Sequence, residues 1–258
     1  MTDGIKLDGY MPEPMKDGQW SFEAALKGRL EDGTEDVNLR EFSSPVQNQR
    51  WTSSCVAHAV VKALELKRIK EYGRDAHVDL SILAVYYLAR ELQLPQTTGL
   101  DAGTYISLAC DVLRRWGVCP EKDWPFNTLR VNQTPSWMAM RKAYQHKIAA
   151  FYRIKSSGDN RVESIIQALN NGNPVVFGTA VGKNWNQYKL GEVLSKPDAI
   201  TGRHATCLVG YENGKFIGEN SWGSHWGDDG FYLMDEDYIK WGETADIWVL
   251  TAPWEEVK

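Results

Sequence analysis

Cysteine is scarce in this chain. Its 258 residues hold four, Cys55, Cys110, Cys119 and Cys207, and no two form a C-x-x-C pair. That spacing excludes a zinc ribbon, a thioredoxin-like motif and a disulfide-stapled scaffold. Positive charge is not in excess either: 29 basic residues against 34 acidic ones leave a formal net charge of −5. Nothing in that balance selects nucleic acid or an anionic membrane surface as a partner. No run approaches the roughly 18 apolar residues of a membrane-spanning helix. The opening MTDGIKLDGYMPEPMKDGQW lacks the basic stretch and apolar run that mark a secretory signal. These absences lead us to expect a soluble, monomeric, cytoplasmic protein with reduced thiols and no membrane association.

What is present suits a globular protein. Hydrophobic residues make up 43% of the chain, enough for one domain or two packed lobes. Residues 1–35 are polar and rich in Gly, Pro and acid in places. They read as an N-terminal extension with one short helix near 20–30, and residues 36–258 as the folded domain. Apolar residues recur at helical spacing over 54–72, 79–93 and 103–116. Asp79 or Ser81 can cap the second of these, and Gly117 can end the third. A further helix is expected over 161–170, and NGNP then breaks the chain. PVVFGTAV, HATCLVGYE, KFIGENSW, GFYLMD and ADIWVLT follow as short strand-like runs between turn residues. A helical half followed by a sheet-rich half predicts an α+β protein with two lobes and a cleft between them.

Cys55 opens the first predicted helix, directly after Ser53 and Ser54. A thiol there is either a small core residue or a nucleophile activated by the helix N-terminus. A nucleophile needs a base, a group to orient the base, and donors for the oxyanion. Five histidines occur, and His204 stands out because it starts a strand-like run. Asn220 follows it by sixteen residues, and Gln49 precedes Cys55 by six.

The wording around these residues is specific. It reads Pro45-Val46-Gln47-Asn48-Gln49 before Cys55, then His204-Ala205 leading to Val209-Gly210-Tyr211. Asn220-Ser221-Trp222-Gly223 then leads to Trp226-Gly227 and Gly230. This resembles the papain family of cysteine peptidases over about residues 36–250. The resemblance implies a two-lobed fold, a helical lobe facing an antiparallel, barrel-like lobe, with no metal or organic cofactor. It implies Cys55 as nucleophile, His204 as general acid and base, Asn220 as its orienting partner under Trp222, and Gln49 in the oxyanion hole. Gly99-Leu100-Asp101-Ala102-Gly103 resembles the family's Gly-Cys-x-Gly-Gly segment, so Ala102, Gly103 and Ser53 are expected along the cleft. Phe177 and Ala205 are expected to shape a side-chain pocket. Arg203 is expected to lower the pKa of its imidazole neighbour.

Three departures from the family pattern stand out. Thr52 and Leu100 occupy the places of one disulfide's two cysteines, in keeping with a reducing compartment. Val56 replaces the Trp that follows the nucleophile. Only about 35 residues precede the matching region, so no long inhibitory propeptide is expected. Residues 1–35 read as a surface extension, with a short cleft-covering pro-segment as the alternative. His58 reads as a packing residue and His225 as solvent-facing, and Cys207 points away from His204 along its strand, against a metal site. The expected partner is a peptide or protein substrate, with a proteinaceous inhibitor or self-inhibition by residues 1–35. Two other functions stay open: an acyltransferase or deamidase on the same thiol, and a catalytically silent binding protein.

Overall fold

The computed structural model describes residues 4–26 and 36–251. Its helices are α1 (Phe22–Ala25), α2 (Cys55–Tyr72), α3 (Ile82–Gln93), α4 (Ile106–Arg115), α5 (Trp137–Met140), α6 (Gly158–Asn170), α7 (Lys183–Gln187) and α8 (Glu236–Lys240). Its strands are β1 (Val37–Asn38), β2 (Ala150–Arg153), β3 (Val175–Val181), β4 (Val193–Leu194), β5 (Gly202–Glu212), β6 (Lys215–Glu219), β7 (Phe231–Asp235) and β8 (Thr244–Thr251). Of the short helix expected near residue 25, α1 is present; residues 27–35 lie outside the described residues.

Local chemistry explains the helix ends. Ser81 caps α3, its Oγ accepting from Ala84 N at 3.2 Å, so the helix starts after Asp79 rather than at it. Gly117 ends α4 at φ +81°, where a Cβ would meet Ala143 O at 2.0 Å. The α2 helix is buried nearly all round, because it packs on α3 and α4 on one side and on β5 on the other. It therefore carries charge into the interior. Lys62 donates to Ser44 Oγ at 2.6 Å and Pro45 O at 2.8 Å and lies 3.1 Å from Glu219. Glu65 accepts from Ser44 Oγ at 2.5 Å and Leu80 N at 2.7 Å. Removing one partner of such a buried pair costs about 3–5 kcal/mol.

The sheet runs β2-β8-β3-β5-β6-β7-β4, with β1 added on β5. All of its pairings are antiparallel except β4–β7, which is parallel. The order is open rather than barrel-like, because β2 pairs only with β8 and β4 only with β7 among the described strands. Helices α2–α4 thus face a twisted sheet, as the α+β reading expects. No helix among the described residues is long and apolar enough to cross a membrane.

The N-terminal segment is not a separate surface extension. Tyr10 and Phe22 are part of the hydrophobic core. Residues 8, 10 and 21 form isolated parallel bridges with Arg203, Thr104 and Arg153, which tie the segment to both lobes. Its polar composition hid this, because its polar groups bond to residues far away in the sequence.

Candidate active site

Cys55 is the first residue of α2 and is fully buried. Ser54 precedes it as N-cap without capping the helix through its side chain. Its Oγ lies instead 2.6 Å from Thr52 Oγ1 and 3.1 Å from His58 Nδ1. Across the cleft, β5 carries His204 opposite Thr179 of β3. Asn220 follows the end of β6 directly. The ring Nε2 of His204 lies 2.8 Å from Asn220 Oδ1, which also accepts from Ser221 N at 2.8 Å. Two donors on one oxygen fix the amide, and with it the tautomer: Nε2 carries the proton and Nδ1 keeps its lone pair. Among the described residues His204 Nδ1 has no hydrogen-bond partner. Trp222 lies over the ring at 5.1 Å and Trp185 meets it edge-on at 5.5 Å.

Gln49 is held at both ends. Its Oε1 accepts from Ser221 Oγ at 2.8 Å, and its Nε2 donates to Thr52 O at 3.0 Å and, more weakly, to Lys6 O at 3.4 Å. Ser221 therefore holds Asn220 with its backbone and Gln49 with its hydroxyl. Sequence reasoning passed over it, although it stands inside the Asn-Ser-Trp-Gly run.

Residues 6–11 lie in the cleft. Arg203 N donates to Leu7 O at 2.6 Å, Thr104 N to Gly9 O at 3.1 Å and Met11 N to Thr104 O at 3.1 Å. Gly9 rests on the nucleophile candidate: a Cβ there would come within 2.6 Å of Cys55 Sγ and of Ser53 O. Gly103 admits the same backbone, since its Cβ would stand 2.4 Å from Asp8 O. Ser53 Oγ donates to Asp8 Oδ1 at 2.5 Å, and Lys6 pairs with Asp101 at 2.7 Å. Burial alone would raise the Asp101 carboxyl, but hydrogen bonds from Lys6, Tyr86 and Ser53 N outweigh it and hold it below its ordinary value. Ala102 turns its carbonyl to Tyr86 OH at 2.7 Å.

Tyr10 enters a pocket beside Cys55. A Cβ on Gly178 would overlap its ring at 2.1–2.4 Å. Gly178 pairs with Ala205 and Phe177 with Thr206, so Ala205 shares the pocket face while Phe177 points to the other side of β3. The expected pocket position is thus one residue too early.

With the segment in place, burial keeps both Cys55 and His204 neutral. Burial pushes the Cys55 thiol up to about 12, against the N–H groups of Ala205 and Val56, and Asp8 adds to the rise. Burial pushes the His204 imidazole down to about 4, against the Asn220 hydrogen bond. Arg203 is not the cause expected from the sequence, because its guanidinium turns to Glu243 at 2.6 Å. The other three cysteines are buried and free. Among the described residues Glu65, His77 and Asp79 could gather a cation by distance. Both Glu65 oxygens, however, already accept from Ser44 and Leu80.

Comparison with known proteins settles the family. The model described as "Papain family cysteine protease" matches residues 34–248. The chain belongs to the papain family of cysteine proteases. Among papain-family relatives, an uncharacterised peptidase C1-like protein of Acanthamoeba polyphaga mimivirus is 31% identical over 88% of this chain and 77% of its own. Mouse pro-cathepsin H is 27% identical over 74% of this chain and 56% of its own length. The crystal structure of xylellain, a cysteine protease from Xylella fastidiosa, superposes with a TM-score of 0.80 at 27% identity, covering 96% of this chain and 97% of xylellain.

Proposed function

We propose that this papain-family protease hydrolyses peptide bonds through an acyl-enzyme on Cys55, and that residues 6–11 hold it closed. The observation that carries the reading is the Asn220–His204 bond at 2.8 Å, which leaves the Nδ1 lone pair free on the residue next to Ala205, whose N–H reaches the helix-terminal Cys55 thiol. Once the segment leaves, water and the N-terminal end of α2 favour the thiolate–imidazolium pair that burial suppresses. The Cys55 sulfur then attacks the substrate carbonyl carbon. The carbonyl electron pair moves to oxygen, where Gln49 Nε2–H and the Cys55 backbone N–H donate to it. The Lys6 carbonyl, 3.4 Å from Gln49 Nε2, stands in for such an oxygen in the closed protein. His204 gives its Nδ1 proton to the leaving nitrogen as the C–N bond breaks. It then takes a proton from water, which attacks the thioester and releases the acid. Asn220 keeps the ring in place throughout.

Gly103, Ala102 and Ser53 are proposed to bind the substrate backbone, because they hold Asp8 and Gly9 in the closed protein. The test is a peptide mixture incubated with the full chain and with a Gly9→Leu variant, followed by mass spectrometry. New peptide termini, faster with the variant, are expected. Ligated or deamidated products without new termini would replace hydrolysis by transfer or deamidation, and no product would leave a binding protein.

A further inference from the structure

We infer that the pocket filled by Tyr10 selects substrates carrying a tyrosine, with Asp246 as the residue that recognises the phenol. This rests on the peptidase reading and deepens it. The pocket is lined by Gly178 and Ala205 from paired strands, and the ring of Tyr10 fits because Gly178 has no side chain. At its inner end Tyr10 OH donates to Asp246 Oδ2 at 2.7 Å. The backbone is distorted to place that carboxylate. The pairing of β3 with β8 shifts between Val176 and Gly178, so Asp246 and Ile247 together face Phe177. Asp246 itself sits at φ +49°. A bulge of this kind re-aims a side chain, and a non-glycine residue at positive φ costs about 1–3 kcal/mol.

Asp246 is also neutralised in advance. Its Oδ1 accepts from Arg153, which is as buried as the carboxylate it pairs with. A second cation from a substrate Lys or Arg would therefore meet a pair whose charge is already cancelled, whereas a phenol O–H only needs the one lone pair of Oδ2 left beside the Glu13 N–H, which donates to the same oxygen at 2.7 Å. Phenylalanine fills the same space but leaves Oδ2 without that donor. A hydrogen bond to a charged acceptor supports a preference of about tenfold to hundredfold for Tyr over Phe. A peptide whose carbonyl reaches Cys55 places a neighbouring side chain in this pocket for the reason Tyr10 does: Gly9, the residue before it, lies on the sulfur.

Two measurements test this in the full chain. Matched peptides with Tyr, Phe or Arg at each of the four positions on either side of the cut are assayed with the Gly9→Leu variant. A kcat/KM for Tyr at least about tenfold above that for Phe or Arg at one position is expected. Equal rates for Tyr and Phe would overturn the inference. The second measurement needs no turnover. Tyr10→Phe should speed alkylation of Cys55 by iodoacetamide about tenfold or more, since the segment loses the same bond, and the gain should shrink in an Asp246→Asn background. Equal alkylation of Tyr10→Phe and the parent would overturn the pocket assignment. Faster alkylation with no peptide cut would sustain the phenol site and overturn the peptidase reading instead.

A separate observation points to His58 as a positioning residue. A cavity of about 10 Å³ lies beneath Asn220, lined among others by His58, Lys62, Thr206 and Glu219. Two buried atoms on its walls, His58 Nε2 and Asn220 Nδ2, have no hydrogen-bond partner among the described residues, and Glu219 Oε1 has the Lys62 ammonium at 3.1 Å but no hydrogen bond. The space matches one water. His58 Nδ1 lies 3.0 Å from Ser54 O, which can only accept, so Nε2 is the acceptor. One water that accepts from Asn220 and donates to His58 and Glu219 satisfies all three and prevents the Asn220 amide from flipping. His58→Leu in the full chain should lower kcat several-fold with KM unchanged, and His58→Gln, which keeps an acceptor, should restore it. A crystal structure should show the water. Parental kcat in His58→Leu, or a dry cavity in a structure that orders comparable buried waters, would overturn the assignment.

Discussion

Gly9 lies against the sulfur of Cys55, so close that a methyl group on its Cα would stand 2.6 Å from Sγ. No residue with a side chain fits there while the segment keeps its course. Gly9→Leu should therefore push the segment off the cleft. Overpacking of this kind costs about 1–3 kcal/mol, so iodoacetamide should modify Cys55 roughly tenfold to hundredfold faster than in the parent. Peptide mapping of the alkylated chain reads this out, and an unchanged rate would show that the segment does not guard the thiol.

Cys55→Ala should abolish turnover with the fold intact, checked by circular dichroism. Gln49→Ala should keep the thiol reactive yet lower kcat about 10²–10³-fold, because it removes an oxyanion donor. A Gln49→Ala enzyme within threefold of the parent, to allow for error of about half a kcal/mol, would place the oxyanion elsewhere.

His146 gives a pH test. Burial, helped by Arg68, pushes its pKa down to about 4 from an ordinary 6.5. Between those values the unfolded chain binds a proton that the folded chain refuses, so this residue makes stability fall as pH falls. His146→Leu should thus gain stability relative to the parent as pH drops from 6.5 to 4. Urea midpoints of both proteins at pH 7 and pH 5 check the sign.

Glu121 works the other way. Burial, with Glu65 and Asp79 nearby, raises its carboxyl to about 7 from an ordinary 4.5. Below 4.5 both states hold the proton and there is no penalty; above 7 the folded chain must ionise a buried acid. Glu121→Gln keeps the oxygen that accepts from Phe126 N at 2.5 Å. It should be more stable than the parent by roughly 2 kcal/mol above pH 7 and nearly equal to it at pH 4. Thermal unfolding of the pair across that range measures the difference.

The catalytic candidates were legible because each sits in a run whose neighbours have fixed roles: Ser221 and Trp222 beside Asn220, a strand behind His204. The helices were legible from apolar spacing, within a few residues of their ends. Ser81, not Asp79, began α3 because its hydroxyl reaches Ala84 N, a choice decided by geometry. Phe177 was misplaced for Gly178 because strand faces alternate, and a one-residue slip exchanges pocket for core. Asp246 gave no local signal at all; a bulge aims it. The segment around Gly9 looked like surface chain because its bonds in the cleft, backbone and side chain alike, run to residues far away in the sequence, which no local pattern records.

The cleft and its occupant belong to one chain, Gly9 lying on Cys55 of the same molecule. Covalent attachment presents a segment to its own cleft at an effective concentration on the order of millimolar. Dilution cannot empty such a cleft, and a rival peptide must either match that concentration or bind far more tightly. Closure of the proposed kind is then a property of each molecule, the same at every protein concentration.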